Sequence, residues 1–297
     1  MFSLVTACMN REQHLSRSLR HWLTLPGLGE IVIVDWSNAT PLFDLAKIDP
    51  RIRVLRVEGE ERWILSYAYN LGISHTSHQL ICKCDADCLP TAAAVQHQPY
   101  AHGFYAGYWK SGASLGKPSV NGQCMFLKSQ FDRVNGYSEY IRTYGRDDED
   151  YYDRLKMAGF QRHEISPTEF NFIDHSQEDR ICNQFETLDQ ASPDQKIFRD
   201  PVYNEIRNYF LAVSLPWGPE RQRAAFTQQE SPVRGGALLR RDRAHELTIP
   251  AQLLEDAQLF SLRYLVGQFL KLPETAVKKL DHQSCVRLLV TRFAKID

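Results

Sequence analysis

The chain has 297 residues, 43% of them hydrophobic and 24% charged, enough to bury a sizeable core in one large domain or in one domain with a smaller appendage. Its 35 Lys and Arg nearly cancel its 36 Asp and Glu, which argues against nucleic acid or another bulk polyanion as partner. Seven cysteines, an odd number with no C-x-x-C pair, argue against a secreted disulfide framework, and no stretch approaches the roughly 20 apolar residues of a membrane span.

FSLVTAC, near the N-terminus, is a short β-rich run. The opening MFSLVTACMNR has no basic n-region and enters this strand at once, so the expectation is a cytoplasmic chain without a signal peptide. NREQHLSRSLRHWLTL comes next, with Leu15, Leu19, Trp22 and Leu23 recurring at helical spacing. EIVIVDWSN is apolar until Asp35, as a strand covered on both faces should be. IRVLRV reads as a third strand, WILSYAYNLGISHT as a helix ending near Gly72, and QLICKCDAD as a fourth strand. This order predicts an α/β layered sheet with right-handed crossovers, whose ligands gather beyond the carboxyl ends of the strands. Asn10, Arg11, Asp35, Asp85 and Asp87 all fall at such ends.

Asp85 and Asp87 are spaced i, i+2 where the fourth strand runs out, so in an extended segment both point the same way. Hard oxygen ligands of this kind suit Mg²⁺ or Mn²⁺ with a nucleotide diphosphate, although Asp near Pro90 also fits a plain solvated turn. Cys82, Cys84 and Cys88 do not have the spacing of a structural zinc site. Residues 103 to 131, rich in Gly and aromatics, read as strands and a loop over the site.

NGYSEYIRTYGRDDEDYYDRLKMAGF contains a helix starting near Asp147, with Asp148, Tyr152 and Leu155 on its inward stripe. Asp150 precedes Arg154 by four residues and should make an outward ion pair. Asp147 and Asp148 also fit a simple capping role. TEFNFIDHSQEDR is strand-like up to His175, a residue that on its own reads as a surface histidine. Beyond about 180 the pattern turns helical: NEIRNYFLAV, then a polar, arginine-rich stretch, then two amphipathic helices from 249 onward that pack on the main domain or on each other. Peripheral membrane contact through those helices is the other reading.

Together these segments resemble the GT-A-fold glycosyltransferases of family 2, and more closely the β-1,4-galactosyltransferase-like branch. The resemblance rests on ACMNREQHL at 7–15, YAYNLGI at 67–73, DAD at 85–87, the run VNGQCMFLKSQFDRVNGYSEYIRTYGRDDEDYYDRL, and FIDHS at 172–176, in that order over roughly residues 3 to 180. It implies a GT-A (Rossmann-like) mixed sheet flanked by helices over 1–180, with a mainly helical extension over 181–297. It also implies roles. Thr6, Asn10, Arg11, Asp35, Asn70, Asp85 and Gly122 would serve the donor, with Gly122 allowing close backbone approach. Asp87 and His175, with Asp85 beside them, would bind Mn²⁺ (or Mg²⁺) and the diphosphate. Asp148 would be the catalytic base, and Tyr144 and Asp147 would touch the acceptor. Cys8, Met9, Tyr144 and Phe172 depart from the family's usual residues.

The implied reaction moves a sugar, galactose or N-acetylgalactosamine, from a UDP-sugar to a hydroxyl of a glycan or glycolipid, with inversion. The setting would be assembly of a bacterial surface polysaccharide or lipid-linked glycan, in the cytoplasm or at the inner face of the membrane. Two other classes use similar residues. One is a nucleotide-sugar or glycan-binding module on the same fold. The other is a nucleotidyltransferase, against which the lack of a glycine-rich, lysine-containing phosphate loop counts.

Overall fold

The computed structural model describes residues 1–108, 110–111, 120–173, 193–230, 233–244 and 246–293. Strands β1 (Phe2–Cys8), β2 (Leu28–Trp36), β3 (Ile52–Glu58) and β4 (Leu80–Lys83) run parallel in the order β3-β2-β1-β4. Every residue of β1 is buried, because helices cover both faces of the sheet. On one face lies α1 (Glu12–Trp22), which buries Leu15, Ser18, Leu19 and Trp22, and the Trp22 indole donates to the Cys88 carbonyl at 2.9 Å. On the other lies α2 (Leu65–Ser74), buried along its whole middle from Ser66 to Ile73.

The chain adds β1, β2 and β3 in one direction and then crosses back to place β4 on the far side of β1. That reversal opens a crevice between the carboxyl ends of β1 and β4, where sheets of this kind bind ligands. Beyond β4 the sheet becomes mixed: β7 (Cys124–Leu127) is antiparallel to both β4 and β6 (Gly103–Ala106), and β8 (Gln161–Glu164) is parallel to β6. Short strands β5 (Cys88–Pro90) and β9 (Phe170–Phe172) pair apart from the main sheet.

Helices α3 (Lys128–Arg133) and α4 (Asp147–Met157) join α2 through an aromatic layer. Its rings include Tyr137 stacked on Tyr151 at 4.5 Å, with Phe126, Phe131 and Tyr152 around them. α4 begins at Asp147 and buries Asp148, Tyr152 and Leu155, the stripe its sequence predicts. Asp150 differs from expectation. Its carboxylate does pair with Arg154 at 2.8 Å, but Asp150 is buried and Arg154 mostly covered, because the Arg154 guanidinium also donates to the carbonyls of Val134 and Gly136 and is drawn under the preceding loop.

Two further expectations need correction. The fourth strand ends at Lys83, and residues 85–87 form a turn closed by the Cys88 amide on the Asp85 carbonyl at 3.0 Å, so the two aspartates are not consecutive same-face positions of one strand. Nor does the sheet stop near residue 180. β10 (Phe226–Gln229) and β11 (Gly236–Arg241) form a hairpin, and β11 runs parallel to β3, extending the main sheet to nine strands.

Among the described residues, the helices of the C-terminal part are α5 (Pro193–Arg199), α6 (Pro201–Ser214), α7 (Ala251–Leu270), α8 (Glu274–Val277) and α9 (His282–Phe293). They build a core of their own from Ile197, Tyr203, Leu262, Leu265, Val266 and Leu289. Asp200 caps α6 by accepting from the amides of Val202 and Tyr203, just before the proline that opens the helix. No described helix is long and apolar enough to cross a membrane.

Gly72 fixes how closely α2 approaches the sheet. A Cβ there would lie 2.8 Å from Val5 Cγ1 and 2.9 Å from Val34 Cγ2, both on fully buried valines. Alanine would gain about 1 kcal/mol of helix propensity, while overpacking a rigid core costs about 1–3 kcal/mol. Gly72→Ala is therefore expected to lower stability by up to about 2 kcal/mol in urea denaturation; a variant more stable than the parent would show that α2 is free to move away from the sheet.

Candidate functional site

The crevice is walled by the segments after β1, β2 and β4. Asn10 adopts a left-handed φ of 55°, and its side-chain oxygen accepts from the Ala39 amide at 3.2 Å, tying the β1 and β2 turns together. Asp35 is fully buried and its two oxygens take four donors: the Asn38 amide (3.1 Å) and side chain (2.7 Å), the Leu42 amide (2.9 Å) and Arg56 (2.8 Å). A carboxylate so fully used shapes the turn at 37–42 and presents no lone pair to a ligand. Thr6 lies inside β1 without exposed surface. Asn70, on α2, donates to the Tyr137 carbonyl and to Glu139 and accepts from the Tyr137 amide, so it braces the loop before α4.

The centre of the site is a lysine that the strand pattern does not single out. Lys83, the last residue of β4, has a wholly buried side chain whose Nζ lies 3.2 Å from Asp85 Oδ1 and 3.1 Å from Asp148 Oδ1. The two carboxylates are therefore no more than two hydrogen-bond lengths apart. Tyr69 of α2 places its ring 4.6 Å from the same ammonium and donates its hydroxyl to Asp85 Oδ1 at 3.0 Å. Gln123 completes the hold on Asp85, accepting from its amide and donating to Oδ2 at 3.0 Å. Gly122 is packed against it, so that a Cβ there would collide with Asp85 Oδ2. One signal for Lys83 is present in the sequence: a single charge inside the otherwise apolar run LICKC.

Burial works against the Lys83 charge, but Asp148 and then Asp85 outweigh it and push the ammonium pKa up. Asp148 is pushed up by burial, and Lys83 opposes the shift without cancelling it. Its two hydrogen-bond donors among the described residues, Lys83 and the Tyr137 hydroxyl at 3.3 Å, both reach Oδ1 and leave Oδ2 to the site. Asp147, half-buried, accepts from the Asp148 amide at 3.0 Å and is pushed up by burial and then by the Asp148 charge. Gly145 and Arg146, at φ 91° and 70°, make the left-handed turn that sends the chain into α4 with these carboxylates at its first positions. Tyr144 stands half-buried just before that turn.

Asp87 lies on the other side of the same turn from Asp85, with Arg11 at 3.5 Å from its Oδ2. The backbone leads toward it from β9: the Ile173 amide donates to the Asp87 carbonyl at 2.8 Å. His175, two residues on, lies outside the described residues, and among those residues no group of three or more His, Cys, Asp or Glu is gathered for a metal. Hard carboxylate oxygens at this corner fit Mn²⁺ or Mg²⁺. Of the two, Asp85 is held by Lys83, Tyr69 and Gln123, and Asp87 faces Arg11.

Residues 3–98 match the family model for glycosyl transferase family 2, and residues 102–176 match that for the N-terminal domain of galactosyltransferase. The two matches flank the crevice, and the chain is a glycosyltransferase. No curated protein matches the chain. Among solved structures, it is similar to a mutant of Drosophila β-1,4-galactosyltransferase 7 in complex with manganese, UDP-Gal and xylobiose, at 15% identity and a TM-score of 0.49. It is similar also to the catalytic domain of that Drosophila enzyme with xylobiose, at 14% identity and a TM-score of 0.49. Each alignment covers 81% of this chain and 92% of the other.

The brace at Asn70 contains a titratable group. Glu139 accepts from Asn70 at 2.9 Å and from the Ala224 amide at 2.7 Å, and burial pushes its carboxyl up to about 7. Between about pH 4.5 and 7 the folded chain then holds a proton that the unfolded chain has lost, so stability falls as pH rises through that window. Glu139→Gln is expected to remove this part of the slope, on the order of 2–3 kcal/mol, in denaturation curves taken at pH 5 and pH 8. An unchanged slope would show that the carboxyl is ionised throughout.

Proposed function

We propose that this glycosyltransferase transfers a sugar from a UDP-sugar to a hydroxyl of a glycan or glycolipid with inversion, using Asp148 as general base. The observation that carries the reading is the convergence of Asp85 and Asp148 on Lys83 beside the β1–β4 crevice, which brings the donor corner and the α4 carboxylates into one site. The donor diphosphate would lie at Asp87 and Arg11, with Asn10 shaping the turn above it. Asp87, joined by His175, would hold a divalent cation, Mn²⁺ or Mg²⁺, and that cation would neutralise charge developing on the departing UDP.

The acceptor hydroxyl approaches Asp148 Oδ2. As its oxygen forms a bond to the anomeric carbon, the bond from that carbon to the UDP oxygen breaks, UDP leaves with the electron pair, and the proton passes to Asp148. Direct displacement on an α-linked donor gives a β-linked product. The raised pKa of Asp148 suits the task, since a base nearer the working pH takes a proton more readily than an ordinary aspartate. Asp85 acts from beside the donor sugar, and Tyr144 and Asp147 lie where the acceptor enters. A bacterial surface polysaccharide or lipid-linked glycan, built at the cytoplasmic side of the membrane, is the acceptor class this reading favours.

The direct test is a panel of UDP-sugars with Mn²⁺ in which released UDP is measured. Binding without release in the presence of glycan acceptors would reduce the chain to a binding module. Asp148→Asn is expected to retain UDP binding and lose transfer by on the order of 10²–10⁴; near-normal turnover would remove Asp148 from the role.

Lys83→Met tests the buried cation separately. The ammonium favours the ionised form of Asp148, so its loss raises the Asp148 pKa, and more alkaline solution is needed to free the base. The acid limb of kcat/KM against pH is expected to move upward; a limb at the parental position would mean that the rate does not report Asp148.

A further inference from the structure

We propose that the C-terminal helical part is a working component of the active site, with Asn208 of α6 the positioning residue that fixes the loop delivering Tyr144, Asp147 and Asp148. The inference rests on the proposed transfer reaction for its functional meaning. Its structural basis is independent of that reaction.

Asn208 has no exposed surface. Its side-chain amide faces three successive carbonyls, those of Thr143 (3.2 Å), Tyr144 (3.2 Å) and Gly145 (2.7 Å), and its Oδ1 accepts from the Thr143 hydroxyl at 3.1 Å. Every hydrogen-bonding group of the side chain is thus spent on one three-residue stretch. Neighbouring residues of α6 extend the grip. Glu205 lies against Gly145, where an added Cβ would come 3.4 Å from the Glu205 Cβ, and the Tyr209 ring receives the Arg146 guanidinium at 5.1 Å. Residues 205, 208 and 209 share one face of a helix, and that face meets residues 143 to 146 in sequence.

The placement matters because the loop runs directly into the proposed base. Gly145 and Arg146 both take left-handed φ, a geometry that costs energy at a non-glycine residue and persists only where the surroundings enforce it. The next two residues are Asp147 and Asp148. A loop able to relax by a fraction of an ångström would carry the Asp148 carboxylate off the line of an incoming hydroxyl, and such displacements cost rate steeply. The donor corner, built from the ends of β1 and β4, touches none of these contacts. Loss of the clamp should therefore fall on acceptor use and turnover and spare the donor.

Asn204 is the control, being a buried asparagine one turn earlier on the same helix. Its side chain donates to the carbonyls of Phe198 and Asp200 at 3.0 Å each, fastening α6 to α5 and not to the loop. Asn208→Ala and Asn204→Ala would be compared by UDP-sugar affinity, by kcat and acceptor KM for transfer, and by hydrogen exchange over residues 143–148. Asn208→Ala is expected to lower kcat on the order of 10- to 100-fold, raise the acceptor KM, speed exchange at 143–148 and leave UDP-sugar affinity unchanged. Asn204→Ala is expected to loosen the helices while sparing kcat and exchange in the loop. Parental kcat, acceptor KM and exchange in Asn208→Ala would overturn the proposal, as would equal losses in both variants. Should the parent fail to release UDP from any donor, the transfer reading falls, and the exchange contrast still decides whether the clamp exists.

Discussion

One buried ammonium organises the site. A lysine with no exposed side-chain surface carries a desolvation cost of several kcal/mol unless its charge is met at close range. Here it is met by Asp85 and Asp148 at 3.2 and 3.1 Å and by the face of Tyr69. These groups come from the end of β4, the first turn of α4 and the middle of α2, so satisfying one charge sets the relative position of three elements. The requirement runs in both directions: without Lys83 the buried Asp148 carboxylate would lose its nearest counter-charge while Asp85 stays close by, an arrangement that favours taking up a proton.

The sheet makes that meeting possible. Reversal of strand order between β1 and β4 leaves the ends of both strands open on one crevice, and α2 crosses the same edge closely because Gly72 lets it. From α2, Tyr69 reaches Asp85 and Asn70 reaches the 137–139 segment, so a single helix braces both the turn at 85–87 and the loop leading to α4. The aromatic layer of Tyr137, Tyr151 and Phe131 then fills the space between α2 and α4. Elements far apart in sequence are held by packing on one side and by one charge on the other.

How much of this is legible in the sequence depends on the range of the interaction responsible. The parallel strands, the helix stripe of Leu15, Leu19 and Trp22, and the inward line of Asp148, Tyr152 and Leu155 arise from periodicity, a local property. The mixed sheet flanked by helices agrees with the family resemblance. Lys83 is hard to single out because its partners lie 2 and 65 residues away, and nothing in a strand pattern marks the second of them. An i, i+4 pair is normally solvated, which is why the sequence points Asp150 outward, whereas two backbone carbonyls of the 134–136 loop pull its partner inward. The hairpin of β10 and β11 leaves little trace in the sequence because its strands are short and arginine-flanked, and their place in the sheet is decided by the edge of β3, some 180 residues earlier.

The two acidic corners are neutralised in different ways, and the difference has a chemical consequence under the proposed reaction. Asp85 and Asp148 are held by an ammonium that is sealed in and cannot leave. Asp87 faces Arg11 at 3.5 Å, beyond ordinary hydrogen-bond length, on a side chain that retains some exposure. A fixed cation is suited to holding a base in place and biasing its ionisation throughout a catalytic cycle. A guanidinium on a flexible stem can instead be exchanged, yielding the Asp87 carboxylate to a divalent ion and turning toward the phosphates that arrive with it. The cation of the proposed donor corner can then be exchanged as substrate enters and product leaves, while the cation beside Asp148 stays in place as that carboxylate takes up and releases its proton.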